Sequence, residues 1–433
     1  EDVPDDPARA VVVFRVEAGR ASVLQQVKIE GLGHSKPAWV SNKAELATGS
    51  QLRRQEVSAA RGRLYRTGVY ERIRVTTESL EEGDVGPANP NEPRPVAVAF
   101  ELDEAPRYQL SYGGRWESDV GLGGVVDLVN RNSLGRGHRT GVRAILNDDV
   151  RSLRLYHVIP QPLPSERSSL ELFVEGKREN VEDVRSDVIE AWAQLTFPLT
   201  DRMLTRVYTA VGDRNILSGI PSPDLPLEER VISPRFGWQL AYTTVQQGLL
   251  SQRRKGFFFG VDVSGSSASL GSDLTTLGVF TQFKVYAPFG SIDRGRFSWH
   301  QSYRAGLLTA REQAIPFVDR LRAGGEFSVR GYPTNGIGPL DIDGTPLGGE
   351  LLFVANQEFH ARVWDSLYGV LFFDAGKVWS SPNDFEPDFF RSVGFGARYT
   401  SPVGPLRFDI GFPLDRRADE ERYQIYIGFG SVF

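Results

Sequence analysis

Two periodicities divide the chain. Up to Glu104, runs of alternating residues enclose a stretch of helical spacing; beyond Pro106 only alternation remains. Val11-Val12-Val13-Phe14-Arg15-Val16 is a strand-like run ending in Glu17-Ala18-Gly19. In the next run Val23, Val27 and Ile29 share one face, and Gly31-Leu32-Gly33 closes it. Trp39-Val40 and Leu46, a break at Gly49, then Leu52, Val57, Ala60 and Leu64 follow helical spacing and predict two helices. Gly68 stops the second. Val69 to Val75 returns to alternation. Ser79 to Pro95 carries four prolines and the acids Glu81, Glu82, Asp84 and Glu92, which fits a solvated linker or hairpin loop. Val96 to Glu104 is a last strand. The order β-α-α-β-β describes a small α+β module.

After Pro106, Tyr108, Leu110, Tyr112 and Trp116 alternate with Gln109, Ser111, Gly113 and Arg115. Leu406, Phe408, Ile410 and Phe412 alternate with Arg407, Asp409 and Gly411. Tyr423, Ile425, Ile427, Phe429 and Phe433 alternate with Gln424, Tyr426, Gly428 and Gly430. One face is apolar or aromatic and the other polar or tiny, as in a strand with lipid on one side and a wet lumen on the other. A soluble sandwich gives the same alternation. The aromatic terminus and the length favour a membrane barrel. At roughly twenty residues per strand and connection, residues 106–433 hold about sixteen antiparallel strands. A soluble barrel of that size would have an unfilled interior.

Composition adjusts this picture at three points. No run reaches the roughly 18 apolar residues of a membrane helix, and hydrophobic content is 40 %. Strands with a polar lumen face keep hydropathy ordinary, so neither fact argues against a barrel. The 26 Phe, 14 Tyr and 7 Trp suit interfacial girdles. The absence of cysteine removes disulfides, thiolate metal sites and cysteine nucleophiles, and a net charge of −5 gives no nucleic-acid footprint.

Candidate chemistry concentrates at Val329-Arg330-Gly331-Tyr332, inside a glycine-dense, strand-poor stretch from Ala323 to Gly349. Acids follow in three segments, at Glu350, Glu358 and Asp374. Glu358 and Asp374 lie on successive strand-like runs and can face one lumen. A guanidinium holds two carboxylates at once through its rigid fork. The pattern leaves two readings open: a staple between loop and barrel wall, or a surface arginine and two unrelated lumen acids. Arg143 and Arg154 read as lumen or interface residues. Enzyme motifs are poor. The five histidines (His34, His138, His157, His300, His360) lack the His-Glu-x-x-His spacing, and neither a nucleophile elbow nor a phosphate loop occurs. Asp341-Ile342-Asp343-Gly344 matches part of a calcium loop, but the full spacing fails and a turn is expected.

The opening module resembles a POTRA domain. The resemblance rests on Val27-x-Ile29-x-Gly31, on Leu64-Tyr-Arg-Thr-Gly-Val-Tyr70 and on Val98-x-Phe100-x-Leu102-x-Glu104. The rest resembles the outer-membrane assembly superfamily of BamA, TamA and the two-partner secretion transporters, BamA and TamA most of all. That resemblance rests on Val329 to Tyr332, on Phe372-Phe-Asp-Ala-Gly-Lys-Val-Trp379 and on the run from Arg391 to Gly411. Gly121-Leu-Gly-Gly124 and Asn132-Ser-Leu-Gly-Arg-Gly137, expected in early barrel strands, add to it. A short glycine-rich loop after Arg330, without a large surface domain, departs from some BamA proteins.

The resemblance implies a remnant of a preceding POTRA or linker over 1–19, a POTRA domain over 20–105, a transmembrane barrel over 106–433, and further chain upstream. It implies that Arg330 bonds Asp374 and Glu358 in the lumen. It makes the last strand, Arg422 to Phe433, an assembly signal that also closes the barrel against Tyr108 to Trp116. Gly428 and Gly430 then either weaken a seam that opens toward lipid or relieve crowding in the lumen. The implied function is non-enzymatic: insertion or translocation of proteins at the bacterial outer membrane, with the POTRA domain in the periplasm and no cofactor. The implied partners are the lipid bilayer, unfolded outer-membrane or secreted clients, and periplasmic accessory proteins met through the POTRA domain. A dedicated secretion pore and a passive porin or barrel anchor are the alternatives.

Overall fold

The computed structural model describes residues 20–81, 92–165, 167–182, 184–218, 230–247, 254–289, 296–311, 314–364, 366–401, 404–417 and 420–430. The run Val11 to Val16 and the terminal Phe433 lie outside these residues. The chain divides into two compact units, one built on residues up to Arg107 and one beginning at Tyr108.

The first unit runs β1 (Ser22–Glu30), α1 (Pro37–Ala44), α2 (Arg54–Arg66), β2 (Tyr70–Ser79) and β3 (Arg94–Glu104). Its sheet has the order β1-β3-β2, with β1 parallel and β2 antiparallel to β3. Pro37 occupies the first turn of α1, where a missing N–H costs nothing. Glu56 reaches back to accept from the Arg53 N–H at 3.1 Å and caps the start of α2. Val40, Ala44, Ala60 and Leu64 of the helices bury against Leu24, Ile73, Val98, Phe100 and Leu102 of the sheet. Each large aliphatic chain buried this fully contributes about 1.5–3 kcal/mol. The expected face of β1 needs one correction. The register shifts between Leu24 and Gln26, and this bulge puts Leu24 in the core in place of Val23, while Val27 and Ile29 still pack against it.

The link from β1 to α1 is fixed by backbone chemistry. Gly31 has φ +79°, and a Cβ there would lie 2.3 Å from the Leu102 carbonyl oxygen, so only glycine fits. Oε1 of Glu104, at the end of β3, accepts from the N–H groups of Gly33 (3.2 Å), His34 (3.1 Å) and Ser35 (2.8 Å). Burial pushes this carboxyl up, and the hydrogen bonds from Ser35, His34 and Gly33 outweigh it, so the group ionises below the ordinary glutamate range. Its stabilisation is therefore present above the unfolded value near ~4.3 and fades as pH falls through the lower folded value. Glu104→Gln should cost about 1.5–3 kcal/mol. Hydrogen exchange on the full chain should show faster exchange at Gly33 to Ser35 and a weaker acid dependence there; unchanged protection would remove Glu104 from this role.

In the second unit sixteen long strands, counted among the described residues, pair antiparallel with their sequence neighbours, from Tyr108–Glu117 to Gln424–Gly430. The last pairs with the first, so the sheet closes; a short piece, Gln246–Gln247, follows the eighth strand and pairs with the ninth. Closure leaves no edge unpaired, the condition for a sheet in lipid. Alternation sorts the faces as the sequence predicts. Leu110, Leu122, Ile189 and Leu371 point outward, 60–72 % exposed, while Asp127, Glu175 and Asp374 are buried inside. Phe289, Phe297 and Phe359 cluster on the outer face of neighbouring strands, as an interfacial girdle requires. Arg143 and Arg154 face inward and pair with Asp127 (2.6 Å) and Glu175 (2.7 Å). Gly121 to Gly124 opens the second strand, but Leu134 to Gly137 forms a turn after it, with positive φ at Leu134, Gly135 and Gly137, values a strand does not hold.

Candidate functional site: an arginine clamp in the lumen

The stretch joining the eleventh strand (Phe297–Arg311) to the twelfth (Leu351–Arg362) has no long strand of its own and turns into the barrel. Two side chains anchor it. Val329, fully buried, packs with Ala323, Ile337, Val354 and Val378. Tyr332, also fully buried, donates its hydroxyl to the Arg391 carbonyl at 2.9 Å and stands edge-on to Phe390. Between them the backbone lies directly on the fifteenth strand (Gly404–Pro413): a Cβ on Gly411 would be 2.6 Å from the Gly331 nitrogen. Gly331 has φ +94°, which lets the chain reverse there.

This bed fixes Arg330 between the twelfth and thirteenth (Leu367–Trp379) strands. Arg330 is 2 % exposed. Its Nε and Nη2 donate to the two oxygens of Asp374 at 2.7 and 2.9 Å, and Nη1 donates to Oε1 of Glu358 at 2.6 Å. The fork therefore spans two strands at once. Asp374 is itself fully buried and accepts two further bonds, from the Arg330 backbone N–H (3.2 Å) and Asn356 Nδ2 (2.8 Å). Asn356 also donates to the Ser328 carbonyl at 2.6 Å, tying the loop a second time. The guanidinium carbon sits 3.6 Å from the centre of the Phe372 ring, a close cation–π contact. A charge buried this deeply is tolerable only with such full hydrogen bonding.

The cluster is larger than the sequence pattern suggests. Asp409, fully buried on the fifteenth strand, accepts from Arg398 (2.6 and 3.0 Å) and Arg407 (2.7 Å) and stands 3.5 Å from Arg330. Glu326 pairs with Arg407 at 3.0 Å. Three arginines thus face four carboxylates. Tyr426 of the last strand, fully buried, accepts from the Gly331 N–H at 3.0 Å. Five strands, the twelfth to the sixteenth, and the loop meet in this cluster. Glu350 takes no part among the described contacts: its N–H donates to the Trp379 carbonyl, and it directly precedes the first residue of the twelfth strand. Asp341 forms the expected turn, its Oδ1 accepting from Asp343 and Thr345 N–H at 2.9 Å each.

A model of the Omp85 superfamily domain matches residues 132–433, which include every residue of the clamp. The chain belongs to the Omp85 superfamily. It is 22 % identical over 432 residues to the outer membrane protein assembly factor BamA of Nitratidesulfovibrio vulgaris, covering 95 % of this chain and 51 % of that one. BamA of Neisseria meningitidis is 26 % identical over 160 residues, 28 % of this chain and 20 % of the relative. The chain spans about half the length of the first of these relatives. BamA of Haemophilus ducreyi lacking POTRA domains 1–3 has the same fold, with TM-score 0.79 at 19 % identity over 96 % of this chain and 86 % of that structure. CdiB of Acinetobacter baumannii follows, with TM-score 0.59 at 15 % identity over 95 % and 74 %.

The second expected site of this Omp85 barrel is the junction of its first and last strands. Tyr108, Leu110, Tyr112 and Trp116 of the first strand face outward, as do Ile427 and Phe429 of the last. Tyr423 lies just before that last strand and Ile425 within it. Five residue pairs, from Tyr426–Glu117 to Gly430–Gly113, join the two strands among the described residues, against ten between the first and second. Open space surrounds Gly428, so crowding does not explain glycine there. Close approach occurs at Gly114, where a Cβ would lie 2.4 Å from the Phe429 ring.

Proposed function

We propose that this chain is part of an outer-membrane assembly factor that inserts client β-barrels, with the lumen clamp holding its working conformation. The observation that carries the reading is the clamp itself. A loop arginine, buried by its own glycine bed, holds carboxylates of two adjacent strands inside an Omp85 barrel. Such a device fixes a conformation and transforms no substrate. Membership of the superfamily and similarity to BamA proteins along nearly the whole chain support the same reading. The α+β unit fits a periplasmic POTRA domain. Its strand β2 has no partner beyond β3 among the described residues, which leaves an edge for an extended client segment or an accessory protein. Parting of the five-pair junction of the barrel would open a second edge, next to lipid.

Similarity to CdiB in fold favours one other reading, a pore dedicated to a single secreted protein. Depleting the protein from its native cell separates the two. Loss of many different barrels from the outer membrane is the expected result. Loss of one secreted protein, with the other barrels intact, would replace the assembly reading by the transporter reading.

A further inference from the structure

Two histidines outside the clamp's ion pairs stand in the lumen against one of its carboxylates. His300 lies on the eleventh strand directly opposite Glu358 in register. His360 follows Glu358 by two residues, so period two puts it on the same lumen face. The imidazole centroids lie 4.1 Å apart with the rings tilted by 34°, and His360 Nε2 is 2.8 Å from Oε2 of Glu358. One ligand atom from each of the three residues falls within 4.8 Å of the other two. His360 is 6 % exposed, and its Nδ1 is buried without a hydrogen-bond partner. The imidazole is thus held through Nε2 alone, which leaves it free to turn a lone pair toward a small mobile partner. His300 and Glu358 line a lumen cavity of about 470 Å³, which gives such a partner a route in.

We propose that His300, Glu358 and His360 form a binding site for a divalent transition-metal ion of the zinc class. Two imidazoles and one carboxylate are a common zinc ligand set, with the fourth position left to water. Bonds of about 2.0–2.2 Å would draw the three donor atoms together by small side-chain rotations. The surroundings select the metal. Arg254, Lys284, Arg330 and Arg407 also line the cavity, so a cation held by charge alone, such as calcium or magnesium, is repelled. Imidazole lone pairs bind a zinc-class ion through coordination, which that repulsion weakens less. Oε1 of Glu358 stays with Arg330 and Oε2 goes to the metal, so the site borrows one clamp carboxylate without dismantling the clamp.

The test uses the tag-free full chain folded in lipid nanodiscs, titrated with Co²⁺ as a spectroscopic stand-in and then with Zn²⁺ in competition. One equivalent of tetrahedral Co²⁺, displaced by Zn²⁺ and untouched by Ca²⁺ or Mg²⁺, is expected. His300→Ala and His360→Gln should each weaken binding by more than the roughly 10–100-fold that follows loss of a group merely supporting a ligand. Heat-modifiable gel mobility checks that each variant is folded. The second histidine pair, His138 and His157, is unchanged in these variants and sets the background. Wild-type binding no tighter than that of a folded His300→Ala, His360→Gln double variant would overturn the site, as would Ca²⁺ competing equally.

Discussion

Arg330→Ala should give a folded barrel with a mobile loop and little client assembly. The substitution leaves Asp374, fully buried, with the residue 330 backbone N–H and Asn356 as donors, and takes the nearest cation from Glu358. Removing one partner of a buried ion pair costs about 3–5 kcal/mol, because the remaining charge is stranded. The wall does not depend on this pair, since the strands that carry Glu358 and Asp374 keep twelve residue pairs of backbone ladder between them. The loss therefore falls on the loop. Hydrogen exchange should accelerate across 326–332 while the twelfth and thirteenth strands stay protected. Arg330→Lys should recover part of the function at most, since one ammonium cannot bridge Asp374 and Glu358 in the geometry of the fork. Undiminished client assembly by the alanine variant would remove Arg330 from the mechanism.

Cross-linking the seam should abolish activity outright and reversibly. Trp116 and Ile427 are register partners on the outer face of the first and last strands. The chain has no cysteine, so Trp116→Cys with Ile427→Cys creates a single possible disulfide. A proteinaceous edge can be offered to a client only if these strands part. Oxidised protein should be inactive and reduced protein active, with each single variant active in both states. Full activity of the oxidised double variant would show that assembly does not pass through this junction.

The wall of the barrel was legible in the sequence because period two survives any twist or shear. Tyr108 to Trp116 and Leu406 to Phe412 point where alternation puts them. Arg330, Glu358 and Asp374 were legible through the resemblance, with the residue pattern alone leaving a surface arginine open. Asp409, Arg407 and Tyr426 were in plain view as the polar members of alternating strands, yet nothing local distinguishes them from any other lumen residue. Their significance arises from closure, which brings the fifteenth and sixteenth strands against a loop some eighty residues or more away in sequence. The bulge at Leu24 was hidden for a different reason: one extra residue inverts the parity of everything before it, and apolar residues at both 23 and 24 mask the inversion. The grouping of His300 and His360 with Glu358 was hidden because it rests on a cross-strand pairing and a spacing of two, neither of which marks a sequence as the helical His-Glu-x-x-His does.

The convergence of several strands on one guanidinium has a consequence for how the barrel is built. Glu358, Asp374 and Asp409 reach Arg330 only while each strand keeps its present offset from its neighbours. Sliding any of them by a single residue would turn its carboxylate from the lumen to the hydrocarbon. A misaligned sheet would thus strand acids in lipid and a cation without acceptors in the interior. The clamp acts as a gauge of alignment for these last strands: its ion pairs can all form only in a sheet that has closed in register.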